Sequence, residues 1–293
     1  MNAKVNMSSR AGASFPVRRM DFDFEHVPEY WMNGSAGLTH FMTALSALFP
    51  AGEKFFIDSV RAVRHHPALK DNIALQKEIS AFIGQEAMHT QQHQGFNAAA
   101  QRYGHDVQTL DGYADKVIQS TRKLMAKIAK PVGITQEMID LTATTALEHF
   151  TATIASQLLT NAHIQELMTD ETMKSMWMWH AIEENEHKAV AYDVFEGIYG
   201  QGLKSYALRT SSLLIAMTTL FVVQSYFLVR LLKQDQQLNL DSLREIYSYA
   251  YSPSRGVITG MGKEMLLYFK PGFHPNDLDT HALLERWKAK FGF

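Results

Sequence analysis

Residues 82–89 read FIGQEAMH and residues 176–188 read MWMWHAIEENEHK. Each stretch contains a Glu-x-x-His unit, Glu86 with His89 and Glu184 with His187. On a helix, positions three apart are separated by about 60° of arc and nearly one turn of rise, so both side chains of a unit reach one metal ion. Working outward, a lone glutamate precedes each unit: Glu53 stands 33 positions before Glu86, and Glu148 stands 36 before Glu184. The chain thus gives the order Glu, then Glu-x-x-His, twice over. One Glu from each of two helices and one Glu-x-x-His from each of two others is the ligand pattern of dinuclear carboxylate bundles. The pattern predicts an all-α fold with a four-helix bundle and additional C-terminal helices.

The neighbours of these residues are apolar. Glu148 follows Thr-Ala-Leu, Glu86 follows Phe-Ile-Gly-Gln, and Glu184 follows a Met- and Trp-rich run. Buried carboxylates have to be paired or metal-bound, because an isolated buried charge costs several kcal/mol. Without metal, several of them should take up protons. His180 lies four residues before Glu184 and seven before His187 on the same helix face, and is expected as a further nitrogen ligand that enriches the second ion in histidine. His93, four after His89, and Glu183 are expected to hold ligands in place by hydrogen bonds. His149, about 100° round the helix from Glu148, reads as packed or solvated. Met88, Met176, Trp177, Met178 and Trp179 read as core.

Composition narrows the chemistry. The chain has no cysteine, which excludes disulfides, thiolate ligands and Cys nucleophiles, so any metal is held by His and carboxylate. Twenty-eight Lys and Arg against 30 Asp and Glu leave a formal charge of −2, which argues against a nucleic-acid partner. Residues 1–20 lack the apolar core of a secretory signal and read as a mobile tail on a cytoplasmic protein. Residues 21–200 read as the metal-binding bundle and 201–293 as a helical extension packed on it. Helices are predicted over 38–63 with a bend near Pro50–Gly52, then over 67–102, 110–129, 135–159, 171–199, 203–233, 240–249 and 278–290. Residues 211–232, SSLLIAMTTLFVVQSYFLVRLL, approach the length and apolarity of a bilayer span. They read as a buried or oligomer-forming helix, with peripheral membrane contact and a homodimer as the partners such a segment would serve.

The order Glu53, Glu86-x-x-His89, Glu148, Glu184-x-x-His187 resembles the ferritin-like di-iron superfamily, and with His180 it is similar to enzymes of the p-aminobenzoate N-oxygenase type. The wider text, including LFPAGEKFF at 48–56, FIGQEAMH at 82–89 and WHAIEENEHK at 179–188, resembles a bacterial family labelled "predicted metal-dependent hydrolase". The first resemblance implies two iron ions, with manganese or zinc as substitutes, and O2-dependent oxidation of a small apolar or aromatic substrate. The second implies hydrolysis by a metal-activated water. Non-catalytic iron binding or ferroxidase activity is the third reading. Glu-rich sites inside helical bundles belong to oxygen chemistry more than to hydrolysis, which favours the first.

Overall fold

The computed structural model describes residues 6–8 and 15–293. A short hairpin opens it, β1 (Asn6–Ser8) pairing antiparallel with β2 (Val17–Arg19). Phe15, Val17, Arg18 and Met20 are buried, so the mobile tail expected over 1–20 is wrong for Phe15–Met20; residues 1–5 and 9–14 lie outside the described residues. β2 can lie flush on the bundle because Gly84 faces it: a Cβ there would come within 2.7 Å of Val17 Cγ2.

The remainder is helical. α1 (Ala36–Ser46) is capped by the Ser35 side chain, and α2 (Phe49–Val63) begins with Pro50 in its first turn, where a missing N–H costs nothing. Pro50 therefore starts a helix rather than bending one, and the predicted 38–63 helix is two. α3 (Ile73–Arg102) starts after Asn72, whose side chain accepts from Leu75 N, so the segment from Pro67 is turn and not helix. α4 (Val107–Ala129) is capped by Asp106, and α5 (Gln136–Thr160) by Thr135. After the short α6 (Ala162–Leu167), the predicted 171–199 helix divides into α7 (Glu171–His187) and α8 (Val190–Tyr199). The break falls where the Lys188 ammonium donates to Leu278 O and to Thr280 Oγ1, a long-range contact that local periodicity does not encode.

α2, α3, α5 and α7 form the bundle around the centre. α2 and α3 run antiparallel, with Ser46, just ahead of α2, beside Asn97 and Arg64 beside Gln76; α3 and α7 do likewise, with Glu86 beside His187 and His93 beside His180. α5 returns along α7, placing Glu148 near His187 and Ser156 against Asn185. α9 (Leu203–Gln234) packs on α5 and α1 through Leu213, Val223, Phe227 and Leu231, and α10 (Leu240–Tyr251) packs on α1. α11 (Val257–Gly260), α12 (Gly262–Leu267) and α13 (His281–Phe291) cover the far side of α5 and α7, where Trp287 Nε1 donates to Leu159 O at 2.8 Å.

Candidate metal centre

Glu53 from α2, Glu86 and His89 from α3, Glu148 from α5, and His180, Glu184 and His187 from α7 converge in the middle of the bundle, all buried. Glu184 lies between the two halves. Its Oε1 is 2.7 Å from His180 Nε2 and 3.6 Å from His89 Nδ1, while its Oε2 is 3.6 Å from His187 Nε2. His187 Nε2 also stands 3.0 Å from Glu86 Oε1 and 3.5 Å from Glu148 Oε2. Glu53 Oε1 is 3.9 Å from His180 Nε2, and its other oxygen accepts from Thr90 at 2.8 Å.

His180 stands beside Glu53 and His89 as well as Glu184, whereas the sequence reading grouped it with the second ion. The reason is the helix rise: His180 and His187 are seven residues apart, about 10 Å along the axis, on opposite sides of Glu184.

The polar atoms in this cluster are incompletely satisfied. Glu53 Oε1, both oxygens of Glu86 and of Glu148, Glu184 Oε2, His89 Nδ1 and His187 Nε2 are buried without a hydrogen-bond partner. Even the 3.0 Å approach of His187 Nε2 to Glu86 Oε1 lacks hydrogen-bond alignment. Native interiors rarely leave such groups unpaired. Here they are carboxylate oxygens and imidazole nitrogens aimed at one another, a donor set that fits divalent metal ions.

Electrostatics point the same way. Burial, reinforced by the Glu86 charge, pushes the Glu53 and Glu148 carboxyls well above their ordinary range. Burial also raises Glu86, to about 7, although His187 opposes it. Glu184 is the exception: burial would raise it, but His180 and His187 hold it well below the usual range. His89 is held neutral by burial and by the neighbouring His180, which leaves its lone pair free to bind.

A second layer fixes the histidines. His89 Nε2 contacts Glu183 Oε2 at 3.1 Å, which leaves Nδ1 facing inward. His187 Nδ1 contacts Gln85 Oε1 at 2.8 Å, which leaves Nε2 facing inward. His180 Nδ1 contacts His93 Nε2 at 2.7 Å, and His93 Nδ1 continues to Ser46, which donates to Asn97 Oδ1. His93 and Glu183 thus stand behind the cluster and touch its histidines. Phe49 stacks on His93 with ring centroids 4.3 Å apart, and Trp179 packs edge-on against His89. Arg18 closes this side: its guanidinium bonds Glu183 at 3.0 Å and Glu186 at 2.6 Å, and Gln85 Nε2 also donates to Glu186. Sequence reasoning missed Arg18, Gln85, Ser46 and Asn97, and no local signal marks them. His149 is packed as expected, stacked on Tyr268 with Nε2 at Glu264 O. Away from the centre, His40 and His105 meet at the end of α9, where His40 Nε2 bonds Asp235 at 2.7 Å and the Tyr30 hydroxyl donates to the same carboxylate.

On the opposite side a cavity of about 300 Å³ runs between α2, α4, α5 and α9. Glu53 lies on its wall, with Phe49, Phe55, Phe56, Leu147 and Phe150 around it. Gly52 keeps the passage clear next to Glu53, since a side chain at this helical position would project into open space.

Fold and centre together define a helical-bundle protein with a buried set of His and Glu side chains that could hold metal ions. The family described as "predicted metal-dependent hydrolase" matches residues 16–279, and the chain belongs to it. Neither curated proteins nor solved structures give a match.

Proposed function

We propose that the chain is a dinuclear metalloenzyme of the ferritin-like kind that uses O2 to oxidise a small apolar or aromatic substrate. Glu53, Glu86, His89 and His180 would hold one iron ion and Glu148, Glu184 and His187 the other, with Glu184 reaching toward both. The observation that carries the reading is the apolar cavity that ends at Glu53, beside buried carboxylates that lack partners. Two ferrous ions held there would supply the electrons for O2 reduction.

The protein's own part is positioning and exclusion of water. Glu183 and Gln85 fix the imidazole tautomers of His89 and His187, and His93 turns His180 toward Glu184. The cavity walls strip water from a substrate and offer it orientation by shape, since its polar side chains besides Glu53 are hydroxyls and the Arg122–Asp140 ion pair.

The family description favours a second reading, hydrolysis by a metal-activated water. The deciding experiment loads the chelated protein anaerobically with Fe(II), Mn(II) or Zn(II) and measures ion stoichiometry, O2 uptake and ester or amide cleavage. Two irons per chain with O2 uptake support oxidation. Cleavage by the zinc or manganese form, with no O2 uptake by the iron form, overturns it in favour of hydrolysis. No stoichiometric metal overturns both.

A further inference from the structure

We propose that the face made by α4 and α9 seats this protein on an anionic lipid bilayer, and that the cavity between them takes its apolar substrate sideways from that bilayer. The second clause rests on the enzymatic reading above; the docking does not.

α9 is long and apolar enough to cross a membrane, yet only 17% of its most apolar window is buried. Leu214, Phe221 and Val222 are each about 60% exposed, and α4 and the turn after it add Leu124, Ile128 and Val132 to the exposed apolar surface. Contiguous apolar surface of this kind marks an interaction site. Spanning is excluded by the inner side of α9: Arg209 is buried and donates to the carbonyls of Tyr268 and Lys270, and Gln224 donates to Phe41 O. One side of the helix is fixed to the body while the other faces out, the arrangement of a helix lying in the membrane interface.

Charge identifies the occupant. The chain as a whole is close to neutral, but residues 116–136 and 203–234 contain no Asp or Glu. Lys123, Lys127 and Lys130 are exposed within a turn of Leu124, Ile128 and Val132, and Lys204 and Arg230 are exposed on α9. Lysines bordering an apolar face extend their ammonium groups to anionic headgroups while their stems join the apolar layer. A second copy placed symmetrically on the same face would bring lysine clusters together and seal the cavity.

The cavity opens in this face. α4 and α9 are joined near both ends, by Tyr113 against Tyr226 with centroids 5.2 Å apart and by Lys204 Nζ at 3.5 Å from Gly133 O. Between these clasps, Ile128 and Ile215 are at once exposed and part of the cavity wall. An acyl chain or other extended apolar group could enter there and reach Glu53 without crossing water.

The test is co-sedimentation of the metal-loaded full chain with phosphatidylcholine vesicles and with phosphatidylcholine–phosphatidylglycerol vesicles. Binding to the anionic vesicles at least tenfold tighter, weakened by salt, is the result expected. Phe221→Ser with Val222→Ser, and separately Lys123→Glu with Lys127→Glu, should each reduce it at least tenfold with metal content and thermal melting unchanged. Absence of binding to either vesicle overturns the proposal, as does a dimer in analytical ultracentrifugation that the Phe221→Ser, Val222→Ser chain no longer forms. Vesicle binding by a chain that holds no metal would break the enzymatic reading and leave the docking standing.

Discussion

The two sides of the metal centre are made of opposite materials. Toward β2 and α13, every inward histidine is backed by a polar partner, and the layer ends in Arg18, buried between Glu183 and Glu186. Toward α4 and α9, Glu53 faces hydrocarbon and an open cavity. A centre of this kind needs both. The polar side sets tautomer and orientation, and the apolar side admits a substrate without admitting a polar competitor for the ligands.

The contrast breaks most severely if the ligands are removed. Glu184→Ala, which takes away the carboxylate between the halves, should lose both ions and all turnover, read by elemental mass spectrometry. Glu148→Gln should lose one ion yet melt at a higher temperature than the parent when both are chelated, because a buried carboxylate raised by burial and by Glu86 has been removed. Next in size is the polar side. Arg18→Ala takes the guanidinium from buried Glu183 and leaves Glu186 to Lys288 and Gln85, a change expected to cost about 3–5 kcal/mol in denaturant unfolding and about 10–100-fold in metal affinity. Gly52→Leu tests the apolar side: filling the passage beside Glu53 should abolish turnover of a bulky apolar substrate and leave both ions in place. Loss of metal in that chain would show that the two sides are not independent.

The smallest effect is one of pH. Glu86 and Glu183, raised by burial to about 7 and about 8, keep protons in the folded state that the unfolded chain has released above about 4.5. Folded chains then bind more protons than unfolded ones, so stability falls as pH rises toward these values. Above pH 6.5 the neutral histidines no longer oppose this trend, since the unfolded chain's histidines have lost their protons too. Chelated protein should therefore melt at progressively lower temperature from pH 6.5 to 7.5, and metal loading should flatten the slope. A rising profile in the chelated form would contradict the picture of crowded, protonated carboxylates.

The ligand cluster was legible in the sequence because its spacing is helical: Glu86 with His89 and Glu184 with His187 are local facts. The placement of His180 was open to the same arithmetic, since seven residues of rise separate it from His187. Arg18, Gln85, Ser46 and Asn97 were not legible, because Arg18 meets Glu183 across 165 positions and nothing local distinguishes it from Arg19. The exposure of α9 was hidden for another reason. Hydropathy reports how apolar a helix is and not which of its sides the rest of the chain covers.

Arg18 also sets an order of events in synthesis. Its partners are residues 183 and 186; its guanidinium lies 4.5 Å from the Phe293 ring, and Lys288 shares Glu186 at 2.9 Å. A ribosome delivers β2 long before any of these exists, so Arg18 must wait for its carboxylates until residues 183 and 186 have emerged. Only then can the guanidinium lock the histidine layer. Until Lys288 and Phe293 follow, the cluster is less firmly closed on its polar side, and metal delivered in that interval would meet the least resistance. Loading should accordingly be fast on nascent or refolding chains and slow on the finished protein.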